Sequence, residues 1–116
     1  MIYSRITGTG SYLPEKVVTN HDLEKIMDTD DQWIRERTGI RERRVVVEGE
    51  TTTTLAEHAC RNALEAADVD PGDIDLLVMG TTTPDLVVPS SACLIQKKLG
   101  LPDCGAMDIN AACSGF

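Results

Sequence analysis

Between Ile74 and Met79 the chain is almost continuously apolar, interrupted only by Asp75. Pro71-Gly72 bounds this run on one side and Gly80-Thr81-Thr82-Thr83-Pro84 on the other. A short apolar run between turn signals reads as a strand of a parallel sheet, with cover expected on both faces. A helix follows, capped by Ser90 or Ser91 and ending at Gly100 with Pro102 just beyond. A second strand is expected over 106–109. Strand, helix and strand in this order need a crossover connection, which dictates α/β architecture with a largely parallel sheet. In such sheets ligands gather at the carboxyl ends of the strands. Two loops qualify, Thr81–Pro84 and Ala111–Gly115, and the second carries Cys113.

The first half of the chain is built from shorter pieces. Ile2–Thr7 reads as a strand that runs into a loop at Gly8-Thr9-Gly10. That loop lacks the third glycine of a dinucleotide fingerprint, and Pro14 stands where a helix should begin. Asn20 reads as the N-cap of a short helix that places Leu23, Ile26 and Met27 on one face. Thr29-x-x-Gln32 has the form of a capping box. It opens a helix carrying Trp33, Ile34 and Arg37 and closing at Gly39. Arg41–Val47 reads as extended. Thr54-x-x-Glu57 is a second capping box and opens the clearest helix, where Leu55, Ala59, Ala63, Leu64 and Ala67 recur at helical spacing. No repeat or linker is evident, so residues 1–116 read as one domain or as half of a larger one.

Aromatic residues are only 3% of the chain, so Leu, Ile, Val and Ala must supply the core. No apolar stretch approaches the ~20 residues a spanning helix needs. The segment Met1–Arg5 lacks the pattern of a signal peptide. Cys60, Cys93, Cys104 and Cys113 show neither C-x-x-C pairing nor a nearby histidine at ligand spacing. These features predict a cytoplasmic protein with reduced thiols, no metal and no membrane association. A net charge of −8 makes nucleic acid a poor partner. Five of the seven arginines (Arg35, Arg37, Arg41, Arg43 and Arg44) nevertheless fall within ten residues. Such a cluster suits a local anionic partner or an ordinary salt-bridged surface, and charge alone does not choose between them.

Cys113 lies where an apolar strand gives way to small residues. A free thiol near its ordinary pKa of ~8.5 is only a few per cent thiolate at neutral pH. At a helix N-terminus, unpaired N–H groups and the helix dipole favour the anion. Ala111, Ala112 and Gly115 leave room for a tight turn and for an approaching acyl group. On residue type alone Cys113 is either a nucleophile or a small buried core residue. Cys60, Cys93 and Cys104 read as structural. His21 and His58 follow no strand end and read as solvated or capping residues.

Several blocks together resemble a known family. They are Gly8-Thr9-Gly10-Ser11-Tyr12-Leu13-Pro14-Glu15, Asp31-x-Trp33-Ile34-x-x-Arg37-Thr38-Gly39-Ile40-x-x-Arg43, Thr81-Thr82-Thr83-Pro84, Pro89-Ser90-x-Ala92-Cys93-x-Ile95-Gln96 and Asp108-x-x-Ala111-Ala112-Cys113-Ser114-Gly115-Phe116. The chain resembles, over its whole length, the N-terminal portion of the β-ketoacyl-acyl carrier protein synthase III family of the thiolase superfamily. The resemblance implies an α/β, thiolase-like fold, layered α-β-α-β-α in the complete enzyme, of which 116 residues supply part of the N-terminal half.

The resemblance further implies that Cys113 takes an acyl group from a short acyl-CoA such as acetyl-CoA. Malonyl-acyl carrier protein then loses CO₂ and condenses with the acyl-enzyme, initiating type II fatty-acid synthesis. Trp33 and Arg37 match positions around the CoA adenine, with Thr29 nearby; without the resemblance, Trp33 would read as a core aromatic. Thr82 and Val88 match positions around the acyl pocket, in some members across a homodimer interface. Val88 is smaller than the aromatic found there in some members, which hints at tolerance of a larger primer. No tightly bound cofactor is implied.

The family's catalytic His and Asn fall in the half of the fold that this chain lacks. The resemblance thus makes it a portion cut just after the nucleophile, expected neither to fold stably nor to condense alone. Rival readings are a related condensing enzyme of quinolone or polyketide biosynthesis and a non-catalytic thiolase-fold subunit, which would have no need of Cys113. A thiol redox protein is disfavoured by the lack of a closely spaced resolving cysteine.

Overall fold

The computed structural model describes residues 3–101 and 103–115. The chain divides into two compact units, one formed by residues 13–50 and the other by the remainder.

In the 13–50 unit, strand β1 (Val17–Thr19) leads directly into helix α1 (Asn20–Glu24), followed by helix α2 (Asp31–Thr38) and strand β2 (Glu42–Arg44). β1 and β2 pair antiparallel, with Val18 opposite Arg43. Local chemistry sets each boundary. Thr19, not Asn20, is the α1 N-cap, in a reciprocal box with Asp22. Asp30, not Thr29, caps α2 by accepting the Trp33 N–H at 2.7 Å. Gly39 ends α2 in the left-handed conformation (φ 74°). α1 stops at Glu24, so Ile26 and Met27 lie outside it and exposed.

Asn20 is freed from capping for a different task. It is buried, its amide donates to Asp31 Oδ1 (2.9 Å) and to the Ile40 carbonyl (2.8 Å), and its Oδ1 accepts from Arg43 Nη2 (2.7 Å). Ile34 is the buried apolar residue of α2. With so little apolar core, this polar hub holds α2 to β2.

The other unit is built on helix α3 (Thr52–Ala67), strand β3 (Leu76–Gly80), helix α4 (Ser91–Leu99) and strand β4 (Gly105–Ile109). β3 and β4 are parallel and in register from Leu76–Gly105 to Gly80–Ile109, as strand–helix–strand order requires. α4 packs on both strands and on α3. Ile95, Leu99, Leu101 and Cys104 are buried at the centre, with Ala56, Cys60, Ile74, Leu77 and Met79 around them. Among the described residues only one face of this strand pair is covered. Leu76, Val78, Met107 and Ile109 alternate with the covered residues and stay between 39% and 53% exposed.

Other sequence readings are corrected here too. Residues 3–7 form no strand; Ile6 is exposed. Gly8 and Gly10 lie directly on the α3 backbone: a Cβ on Gly8 would come within 2.6 Å of the Ala67 nitrogen. The glycine pair therefore serves helix packing. α3 is capped three residues earlier than expected, by Thr51 with Thr54 reciprocating. Glu57 instead pairs with Arg61 and Lys98. Asp68, with φ 53°, ends α3 before Pro71 is reached.

Candidate active site

The carboxyl ends of β3 and β4 bring the two site-edge loops together. After β4 the backbone makes a single 3-10 turn, Ala112–Gly115, with Ala112 at φ 45° and the Ser114 N–H donated to the Ala111 carbonyl at 2.9 Å. After β3 the Thr81 N–H reaches back to the Ile109 carbonyl at 3.1 Å. The turns touch through glycine. A Cβ on Gly80 would lie 2.9 Å from the Gly115 carbonyl oxygen, so only glycine permits this approach without a shift.

Gly80, Thr81, Thr82, Thr83, Ala112 and Cys113 line a shallow, wide-open cleft of about 460 Å³. Cys113 is a free, exposed thiol, so the core-residue alternative does not describe it. The strand-to-helix elbow expected from sequence is, in the described residues, a 3-10 turn of four residues. The remaining cysteines are engaged in the fold. Burial pushes the Cys60 thiol above its ordinary pKa, Cys104 Sγ donates to the Gly105 carbonyl, and Cys93 Sγ accepts from Ser90.

Thr82 shares this cleft with Cys113, whereas Val88 does not line it. Val88 stands 81% exposed on the loop between β3 and α4, beside Val87 at 93%. In the 13–50 unit, Trp33 is more than half exposed and Arg37 lies with its guanidinium carbon 5.9 Å from the indole centroid. An exposed indole beside a planar cation is a surface on which a flat ring can stack. Thr29 sits two residues before α2, half-buried, its N–H donated to the Met27 carbonyl.

The arginine cluster resolves into individuals. Arg35 pairs with Asp31 (3.2 Å), Arg43 serves Asn20, and Arg44 donates to the Pro14 and Glu15 carbonyls. Three of the five arginines are thus engaged, Arg35 in a surface ion pair and Arg43 and Arg44 in tying the fold together.

His21 and His58 are both committed locally. Glu24 Oε2 accepts from His21 Nδ1 at 3.1 Å, and this hydrogen bond and the carboxylate's charge raise the His21 pKa; His58 stacks on Tyr12 at 4.5 Å. Among the described residues no cluster of His, Cys, Asp or Glu is placed to hold a metal. Among the described residues no helix is long and apolar enough to cross a membrane.

Two carboxylates that the sequence reading passed over hold the site loops. Asp108 of β4 accepts the Ser91 and Ala92 N–H groups, each at 2.7 Å, and so fastens the start of α4 to the strand leading to Cys113. Asp85 accepts from the Thr51 hydroxyl (2.7 Å), the Thr53 N–H (3.2 Å) and the Thr53 hydroxyl. The signal for Asp108 was available, since it alternates in phase with the covered Ala106 of an apolar strand. Asp85 pairs across more than thirty residues, and no local pattern announces it.

This parallel pair, helix-covered on one face and ending in a cysteine turn, belongs to the thiolase-like fold class. Within that class, sequence and structure both match the N-terminal portion of β-ketoacyl-acyl-carrier-protein synthase III. The chain is 64% identical over 115 residues to the protein of that name from Xylella fastidiosa strain Temecula1, covering 99% of this chain and 36% of that protein. It is 64% identical, with 35% of the relative covered, to the one from Xanthomonas campestris strain 8004.

Among solved structures, 3-oxoacyl-acyl-carrier-protein synthase III of Aquifex aeolicus superposes with a TM-score of 0.92 at 52% identity, over 96% of this chain and 36% of that one. The priming β-ketosynthase of the R1128 polyketide pathway gives 0.93 at 41% identity, over 97% and 34%. The chain therefore spans about a third of the length of the curated relatives it matches. No family model matches it.

Proposed function

We propose that the chain is the acyl-accepting part of a 3-oxoacyl-acyl-carrier-protein synthase III. The observation that carries this reading is the exposed Cys113, held by the Gly80–Gly115 contact at the edge of the cleft it shares with Thr82.

The Cys113 thiolate attacks the thioester carbonyl of a short acyl-CoA. The carbon–sulfur bond to CoA breaks, the CoA thiolate leaves and takes up a proton, and the acyl group stays on Cys113. Sulfur suits both halves of the cycle, as a strong nucleophile and then as a leaving group. Malonyl-acyl carrier protein then loses CO₂, and the resulting carbanion displaces Cys113 from the acyl carbonyl to give the 3-oxoacyl product. The Trp33–Arg37 surface takes the adenine of CoA, with Thr29 beside it; Thr82 borders the acyl group, and Val88, which does not line this cleft, reaches the acyl pocket across the homodimer interface. The complete enzyme is a cytoplasmic homodimer that works without a tightly bound cofactor, and residues 1–116 alone do not condense.

Incubating the full-length protein that carries this chain with acetyl-CoA is expected to add one acetyl group at Cys113 by mass spectrometry, and none in Cys113→Ala. Absence of any adduct with short acyl-CoAs refutes the reading in favour of a non-catalytic subunit. The likeness to the R1128 priming β-ketosynthase supports a second reading, a polyketide-type synthase with another starter. An adduct formed only with longer or aromatic acyl-CoAs selects it.

A further inference from the structure

The loop between β3 and α4 contributes three threonines to the cleft and carries Val88, yet its middle is tied to neither strand. It is tied to the first turn of α3. Thr52 Oγ1 donates to the Thr83 carbonyl at 2.7 Å. Two residues on, the Asp85 carboxylate accepts the Thr53 N–H and the hydroxyls of Thr51 and Thr53. Thr53 is 3% exposed, so its hydroxyl has little access to water and is satisfied within this cluster. A carboxylate on the N-terminal N–H of a 16-residue helix also has the favourable side of the helix dipole. By contrast Leu86, Val87 and Val88, just past Asp85, are half to almost wholly exposed. Their own packing cannot fix the loop, so its course is set by Gly80 in β3, the Ser90 cap of α4 and the Asp85 tether between them.

We propose that Asp85 is a positioning residue: by clamping the loop to α3 it holds the Thr81–Thr83 wall of the cleft against Cys113, and so determines which acyl chain lengths the thiol accepts. The proposal rests on the acyl-transfer reading above. Asp85 touches neither the thiol nor the acyl group, and it acts through the backbone that presents Thr82. Releasing the clamp widens or tilts one wall, while the Cys113 turn keeps its own close approach to the end of β3 through Gly115 and Gly80.

The test compares Asp85→Ala and Asp85→Asn with the unaltered full-length protein, following adduct formation on Cys113 from acetyl-, butyryl- and octanoyl-CoA. Alkylation by iodoacetamide serves as a measure of intact, accessible thiol. The expected result for Asp85→Ala is a change of roughly fivefold or more in the ratio of octanoyl to acetyl transfer, since sub-ångström displacements of a site wall are felt strongly. The alkylation rate stays unchanged. Asp85→Asn, which keeps an oxygen for the Thr53 N–H, falls between. A uniform loss with all three thioesters overturns the proposal, because that is what a merely structural carboxylate produces.

If Asp85→Ala does not fold, Thr53→Val removes the hydroxyl that donates to Asp85 while leaving the Thr51 cap in place. An unchanged ratio in that variant overturns the proposal equally. If the unaltered protein accepts no acyl group from any of the three, the acyl-transfer reading fails and this proposal with it. Transfer with an unmoved ratio sinks the proposal alone.

Discussion

Replacing Gly80 with alanine places a methyl group where the Gly115 carbonyl oxygen would lie 2.9 Å away. Ordinary contacts begin near 3.4 Å, so the Cys113 turn or the end of β3 must retreat by about 0.5 Å. The obstacle is backbone on both sides, and no side chain can swing aside. Since an error of 1 Å in placing a reacting group can cost about 10²-fold in rate, half that displacement is expected to slow Cys113 acylation by about tenfold, or roughly 1.4 kcal/mol in the barrier.

Gly115→Ala supplies the control. Its Cβ would sit 3.8 Å from the Gly80 Cα and 3.9 Å from the Ile109 oxygen, ordinary contact distances. That variant is expected to acylate within about twofold of the unaltered protein. Time-resolved mass spectrometry of the acetyl adduct, with iodoacetamide alkylation to count accessible thiols, measures both. Equal rates for Gly80→Ala and the unaltered protein refute the argument, as does a Gly115→Ala defect as large as that of Gly80→Ala.

Asn20→Ala removes three hydrogen bonds from a buried hub and is expected to cost about 3 kcal/mol in urea unfolding of the full-length protein; a loss under about 0.5 kcal/mol would contradict the hub. Burial of Asp85 raises its pKa, but the hydrogen bonds from Thr53 and Thr51 outweigh it and leave the pKa below the ordinary carboxylate value. Its stabilising contribution is therefore complete above the unfolded value of ~3.9 and lost as pH falls through the folded one. The stability gap between unaltered protein and Asp85→Asn should accordingly shrink below about pH 4, and a gap that widens there would show the sign to be wrong. Trp33→Ala is expected to raise KM for acetyl-CoA severalfold with kcat little changed, because stacking on CoA would be equal in ground and transition states. A fall in kcat at constant KM would place Trp33 elsewhere in the mechanism. Val88→Phe is expected to leave acetyl transfer intact and to reduce transfer of longer chains. Unchanged transfer of those chains would remove Val88 from the pocket.

Much of this architecture was legible in the residues themselves. The apolar run before Gly80, the capped segment after Ser90 and the strand before Cys113 specify a parallel strand–helix–strand unit, because parallel neighbours need a crossover connection and the helix supplies it. Gly39 and Gly100 both end helices in the left-handed conformation, as their positions imply. The caps were misplaced for one physical reason. Thr19, Asp30 and Thr51 compete with neighbours of the same hydrogen-bonding type, and local pattern cannot rank a run such as Thr51-Thr52-Thr53-Thr54. The rank comes from partners elsewhere: Asp31, Ile40 and Arg43 for Asn20, and Asp85 for the threonines.

The sequence by itself determined the α/β class, the presence of a cysteine at a strand end and the small residues that make its turn possible. Periodicity, glycine and proline act over a few residues, so they can be read from a few residues. Only the tertiary structure decided that Cys113 is exposed in a cleft with Thr82, and that Gly8 and Gly10 pack a helix. It likewise decided which arginines are spent internally, and that two acidic side chains anchor the loops around the thiol. Most of those outcomes depend on contacts between residues from 16 to 59 positions apart, where hydrogen-bond geometry and close backbone approach choose the partner.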